Sequence, residues 1–199
     1  MPEATFEAIY LGGLALGSAI RVVYARHYRR RAVAEDWRTP LDTALTLLAG
    51  AGLVALPLVH VFTPWLSFAD AARPAWTRWV GAAVFAAALW LLWRAHADLG
   101  PQWSPALQLR RGHRLVTEGV YRRVRHPMYT AHALWGVAQA LLLANWVAGP
   151  AFLVLFIPLC LVRVPREEAM LLARFGPAYR EYMGRTGRLL PTLGGEDAA

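Results

Sequence analysis

The chain has 199 residues, 57% of them hydrophobic, and a formal charge of +8 in which every basic side chain is arginine. That length accommodates one compact domain and excludes a large soluble domain beside several membrane spans, and the long uncharged stretches point to a membrane protein. The arginines gather at the ends of apolar segments, which is the pattern of membrane topology and not of a basic nucleic-acid surface, so no nucleic-acid partner is expected.

A first span is predicted over residues 4–24. Its Gly13 and Gly17 have the small-xxx-small spacing that lets helices approach closely. Arg21 lies near its end, where the long side chain is expected to snorkel to the headgroups, and Arg26, Arg29, Arg30 and Arg31 follow. By the positive-inside rule this end is cytoplasmic and the amino terminus outside. Glu3 and Glu7 stand where a cleavable signal would carry positive charge, so none is expected.

A second span is predicted over residues 41–62, opened by Thr39-Pro40 with Asp42 suited to the helix dipole, and closed by Thr63-Pro64-Trp65. Trp65, Trp76 and Trp79 read as interfacial anchors on the outer face. His60 reads as structural. A third span, residues 79–93, is alanine-rich and ends in Arg94, His96 and Asp98. Residues 99–125 hold Gly100, Pro101, Pro105, Gly112 and Gly119 among six arginines, which argues against one continuous helix.

Residues 128–162 contain no Asp, Glu, Lys or Arg. About 20 residues cross the hydrocarbon of a bilayer, so two spans fit better than one, with the break at Asn145-Trp146 and Gly149-Pro150. The lone cysteine, Cys160, lies in this apolar run and reads as packing filler. After it, Glu167-Glu168 begins a tail in which Leu171, Leu172, Phe175, Tyr179 and Tyr182 recur at helical spacing. The predicted fold is an all-α, polytopic membrane helix bundle of about five transmembrane helices with a cytosolic, loop-rich element. As one domain over 1–199 it divides into three helices (1–98), a cytosolic loop (99–127), a hairpin (128–162) and a cytosolic tail (163–199).

The signatures of common soluble enzymes are missing: there is no G-x-S-x-G, no phosphate-cradling G-x-x-x-x-G-K and no dinucleotide fingerprint. His113, His126 and His132 are too widely spaced, without carboxylate or cysteine beside them, to predict a metal. Glu167-Glu168 taken alone reads as a solvated start of a helix.

In order, however, the chain carries His113-Arg114-Leu115-Val116-Thr117-Glu118-Gly119-Val120-Tyr121, then Arg125-His126-Pro127-Met128-Tyr129, then Arg163 with Glu167-Glu168, then Phe175-Gly176 with Tyr179, Tyr182 and Arg185. This sequence of elements closely resembles the isoprenylcysteine carboxyl methyltransferase family, part of a wider group of integral-membrane methyltransferases that includes phospholipid-methylating enzymes. The resemblance covers about the second half of the chain. It implies S-adenosyl-L-methionine as methyl donor, with cofactor contacts at His113, Arg114, Leu115, Val116, Tyr121, His126, Pro127, Met128, Tyr129 and Glu168. It implies that Arg163 binds the acceptor and acts with Glu168 in catalysis, and a family glutamine corresponds, across a small gap, to Gln108.

The chemistry agrees with that implication. The donor brings a sulfonium, an amino group and a carboxylate, so its pocket needs acidic and basic partners with apolar walls. Glu168 suits the amino group, His126 or His113 the carboxylate, and Leu115, Val116, Tyr121 and Tyr129 the base. Pro127 restrains His126 and starts a helix, while helix geometry is expected to turn Arg163 and Glu168 to one rim. The expected acceptor is lipophilic, an isoprenylcysteine-like carboxylate or other small lipid-like acid, or a prenylated molecule, met among membrane lipids. An amine acceptor, as in phospholipid N-methylation, would need a base such as Glu167. A membrane reductase using a nicotinamide and a non-catalytic membrane protein are the alternatives. The all-arginine, alanine-rich composition points to a bacterial inner membrane.

Overall fold

A computed structural model describes residues 2–28, 33–104 and 106–192. Arg29, Arg30 and Arg31 of the expected cytoplasmic cluster, Pro105 of the expected loop, and positions 193–199 of the expected tail lie outside the described residues. The helices are α1 (Pro2–Tyr28), α2 (Pro40–Gly50), α3 (Leu56–Phe62), α4 (Ala75–Leu99), α5 (Pro127–Leu142), α6 (Ala148–Phe175) and α7 (Pro177–Arg185). Two short strands, β1 (Val33–Asp36) and β2 (Gln108–Arg110), pair antiparallel, with Asp36 opposite Gln108.

Four helical stretches are long and apolar enough to cross a bilayer: Glu3–Arg26, Pro40–Phe62, Ala75–Gln102 and Ala148–Phe175. The fifth, α5, has 16 residues, about 24 Å at 1.5 Å per residue, somewhat less than the hydrocarbon thickness. The expected all-α membrane bundle is therefore formed, and the protein is an integral membrane protein. Its exposed surface has the residues such a bundle turns to lipid: Leu47 and Leu161 are about seven-tenths exposed, at 69% and 71%.

Local sequence explains the boundaries. Thr39 caps α2 in a capping box with Asp42, and Pro40 occupies the first turn. The second span then changes pitch: Ala51–Ala55 forms a π-helical turn between α2 and α3. A π turn misaligns the carbonyl ladder, and here side chains from other helices meet the freed groups. Gln139 Nε2 donates to Gly52 O at 3.0 Å and to Ala148 O at 2.7 Å, while Tyr10 Oη lies 2.6 Å from Leu53 O and 2.8 Å from Gln139 Oε1. Tyr10 and Gln139 are fully buried.

The core lies where α4, α5 and α6 pack together with α1 and α2 against them. Phe85, Trp135, Phe152 and Phe156 fill it. The Gly13 and Gly17 face is used, but by rings and not by a bare backbone approach: a Cβ at Gly13 would sit 2.2 Å from Phe85, and one at Gly17 2.4 Å from Trp135.

The hairpin break falls at residues 143–147. Asn145 is fully buried; its Oδ1 accepts from the Val147 and Ala148 amides at the start of α6, and its Nδ2 donates to Leu66 O and Asp70 Oδ1. Gly149-Pro150 is already inside the first turn of α6, since proline is tolerated where its missing amide has no partner to lose. The same helix continues past the expected end of the last span. It does not stop near position 162 but runs to Phe175, carrying Arg163, Glu167 and Glu168 on its last turns. At Gly176, φ is +55°, the chain turns, and α7 begins.

Candidate active site

The loop that follows α4 is folded back onto it by Asp98. Asp98 Oδ2 accepts the Val120 amide at 2.9 Å, and Oδ1 receives Arg94 at 2.7 Å. Gly119, at φ +60°, makes this closure possible, for a Cβ there would sit 2.2 Å from the Asp98 carboxylate. A short helical turn, Gly119–Arg122, then buries Tyr121, whose hydroxyl donates to Ala95 O at 3.2 Å. Upstream, the Arg114 amide donates to Gln102 Oε1 at 3.1 Å. Half-buried His113 faces the Phe175 ring.

The next wall is built at the start of α5. His126 occupies the N-cap with Pro127 at the first helical position, as the His-Pro pair predicts. The Arg125 and His126 amides donate to Gly187 O at 2.8 Å and Arg188 O at 3.1 Å, so residues 186–190 lie along this segment. Tyr182 adds a bond from its hydroxyl to Tyr121 O at 2.6 Å. Burial raises the phenol pKa values of Tyr121, Tyr179 and Tyr182 above the usual range, with nearby carboxylates adding to the effect for Tyr121 and Tyr179, so all three remain protonated donors.

The third wall is α6. Glu167 Oε2 accepts the Tyr129 hydroxyl at 2.9 Å. Glu168 is turned away toward other partners: Arg125 Nε lies 3.0 Å from its Oε1, Arg188 2.5 Å from its Oε2, and His126 Nε2 3.4 Å from Oε1. Its side chain is 6% exposed and that of Arg125 9%.

These walls enclose a cavity of about 290 Å³. His113, Arg114, Leu115, Val116, Tyr121, His126, Pro127, Met128, Tyr129 and Arg163 all line it, as does Gln108. Glu168 is not in the lining and Glu167 is. The physical reason is helical phase: at 3.6 residues per turn, Glu167 is about 40° around the axis from Arg163, whereas Glu168 is about 140° away. Arg163 thus lines the cavity, and Glu168 stands behind its wall against Arg125 and His126, both of which line it.

Sequence reasoning also missed two parts of the wall, Arg21 and the apolar lining. Arg21 does not snorkel to the headgroups; one of its terminal nitrogens is 2.8 Å from His132 Nε2, and both residues line the cavity. Gln108 is placed by β2, where its Nε2 donates to Asp36 Oδ2 at 2.9 Å. Arg38 and Gln108 hold the Asp36 carboxyl well below the usual carboxylate range. Apolar lining comes from Leu53 before α3 and from Phe152, Phe156 and Leu159 of α6, so the cavity reaches from the polar loop into the bundle.

The arrangement has known counterparts. The model of the "Isoprenylcysteine carboxyl methyltransferase (ICMT) family" matches residues 79–173. Protein-S-isoprenylcysteine O-methyltransferase B of Arabidopsis thaliana is 36% identical over 94 residues, 46% of this chain and 48% of that one. The protein-S-isoprenylcysteine O-methyltransferase of Schizosaccharomyces pombe is 32% identical over 101 residues, 50% and 43% of the two chains, and the human one 34% identical over 83 residues, 42% and 29%. The matched part thus spans about half the length of these relatives or less. The solved structure of the eukaryotic intramembrane Ras methyltransferase ICMT superposes with a TM-score of 0.68 at 24% identity, covering 96% of this chain and 68% of that one. The chain resembles the isoprenylcysteine carboxyl methyltransferase family in sequence over residues 79–173, and over nearly its whole length it has the fold of that solved enzyme.

Proposed function

We propose that this protein is an S-adenosyl-L-methionine-dependent methyltransferase that esterifies the carboxylate of a lipophilic acceptor, isoprenylcysteine-like or another small lipid-like acid. The observation that carries the reading is a single cavity lined by eleven of the twelve residues that the family resemblance marks, Gln108 included, extended by apolar side chains into the bundle. The residues present fit the donor. Tyr179 lines the cavity, and its Oη is buried and without a hydrogen-bond partner among the described residues. Such orphaned atoms are rare in native interiors and mark where a polar ligand completes the bonding.

When bound, S-adenosyl-L-methionine supplies a methyl group on a positively charged sulfur. In this reading Glu167 pairs with the donor's amino group, and His126 and Tyr179 hydrogen-bond its polar end. Leu115, Val116, Tyr121 and Tyr129 wall the base. Glu168 fixes the His126 ring and the Arg125 guanidinium from behind. Arg163 holds the acceptor carboxylate. That carboxylate is already ionised at neutral pH, so no general base is needed: an oxygen lone pair forms the new O–CH3 bond as the S–CH3 bond breaks, and the pair of electrons leaves with sulfur. The protein contributes alignment and the exclusion of water. The loop side of the cavity is cytoplasmic in this reading and the amino terminus outside, in a bacterial inner membrane, on the strength of the arginine distribution.

Isothermal titration of the purified protein with S-adenosylhomocysteine and with NADPH tests this, together with mass spectrometry of lipid extracts incubated with labelled donor. Binding of S-adenosylhomocysteine and appearance of a labelled methyl ester are expected. For Arg163→Ala, donor affinity should stay within about threefold while turnover falls about a hundredfold. Binding of NADPH alone would refute the reading.

A further inference from the structure

Among the described residues, Arg21 is the one cavity-lining residue that comes from α1, a helix outside the matched residues 79–173. A charged side chain within a membrane span is costly and marks function when it faces a cavity. Its hydrogen-bond partner among the described residues is His132. His132 Nδ1 lies 2.7 Å from Met128 O, which only accepts, so Nδ1 carries the proton and Nε2 presents its lone pair to Arg21. The partner is therefore a neutral ring. It aims the guanidinium and leaves its charge uncancelled.

The charge of the whole wall leads the same way. Among the described residues, Arg21, Arg114, Arg125 and Arg163 line the cavity and Glu167 is the single carboxylate among them. Glu168 balances Arg125 from behind. The excess remains positive, and a donor with a sulfonium, an ammonium and one carboxylate adds to it. The ring of His132 packs on Phe152 and Phe156, so the Arg21 charge borders the apolar part of the cavity.

We propose that Arg21, aimed by His132, is a specificity-determining residue that selects acceptors whose polar end is anionic, placing their apolar chain along Leu53, Phe152 and Phe156. The proposal rests on the methyltransferase reading and names its substrate class. Two arginines, one from each half of the chain, then meet the acceptor: Arg163 holds the reacting carboxylate, and Arg21 makes a neutral acid derivative a poor ligand. His132 is a positioning residue.

The test uses the full chain in detergent and equilibrium binding of N-acetyl-S-farnesylcysteine and of its carboxamide, followed by quenching of tryptophan fluorescence, since Trp103 lines the cavity. The wild type should bind the acid ten- to a hundredfold more tightly than the amide, the range for a charge-assisted hydrogen bond. Arg21→Gln should lower the ratio about tenfold, leaving the part that Arg163 supplies, and Arg21→Lys should lower it less. His132→Leu should lower the ratio while S-adenosylhomocysteine affinity stays unchanged, and His132→Gln, whose amide oxygen also accepts, should restore part of it. A wild type with no preference, including one that binds neither probe, overturns the proposal. So does a preference that survives undiminished in Arg21→Gln, or one lost only together with S-adenosylhomocysteine binding. Failure of the methyltransferase reading looks different: the wild type then binds no S-adenosylhomocysteine, while an acid preference lowered by Arg21→Gln still supports the anion site.

Discussion

Glu167 and Glu168 are chemically identical neighbours, and the structure predicts opposite consequences for the same change in each. Glu168→Gln removes the charge that balances Arg125, and both side chains are under one-tenth exposed. Breaking a buried pair costs about 3–5 kcal/mol, because the remaining charge is stranded. The Arg188 contact adds under about 1 kcal/mol, since that side chain is half exposed, at 51%. Glutamine keeps one acceptor oxygen, which places the expected loss near the low end, about 3 kcal/mol, or a melting temperature lower by about 6–12 °C for a chain of this size. Glu167→Gln retains an oxygen for the Tyr129 hydroxyl and should change stability by less than about 1 kcal/mol. Its predicted effect is on the donor: S-adenosylhomocysteine affinity should fall about tenfold or more, the value of one charge-assisted contact. Thermal unfolding in detergent by tryptophan fluorescence, paired with titration, measures both. The reasoning fails if Glu168→Gln melts within about 2 °C of the wild type, or if Glu167→Gln unfolds early and binds the donor product normally.

Two packing predictions accompany it. Gly17→Ala places a Cβ about where the Trp135 ring lies and should destabilise by about 1–3 kcal/mol, whereas Gly12→Ala, which has nothing within 4 Å, should be neutral or slightly stabilising; melting curves of the pair decide. Gln139→Leu removes the donor to Gly52 O and Ala148 O and should cost about 2 kcal/mol or more, with faster amide exchange over residues 51–56 as the signature of a loosened π turn.

Much of the bundle was legible because lipid imposes a coarse, one-dimensional signal: apolar windows near 20 residues, closed by arginine, proline or asparagine. The break at Asn145 could be read for the same reason, although its mechanism, a side chain that caps α6 and ties down Asp70, could not. β1 and β2 were illegible. Val-Ala-Glu-Asp and Gln-Leu-Arg are too short to show alternation, and they exist because the pairing of Asp36 with Gln108 joins segments far apart in sequence. Most residues that line the cavity were legible as an ordered set of motifs, while the placing of Glu167 in the lining and Glu168 outside it needed the phase of a helix that continues past its apolar part. Arg21 carried no signal at all, because an arginine near the end of a span looks the same whether it reaches for water or for a cavity.

The lie of residues 186–190 along Arg125 and His126 bears on how the protein is made. Arg125 meets Met183 O and Thr186 O, some sixty positions later in the chain, and its partner Glu168 meets Arg188. During synthesis α5 leaves the ribosome before α6 and α7 exist, so its first turn spends that interval with a bare guanidinium and unpaired amides. The rim of the cavity closes last, and a half-made chain has helices able to enter the membrane but no closed cavity.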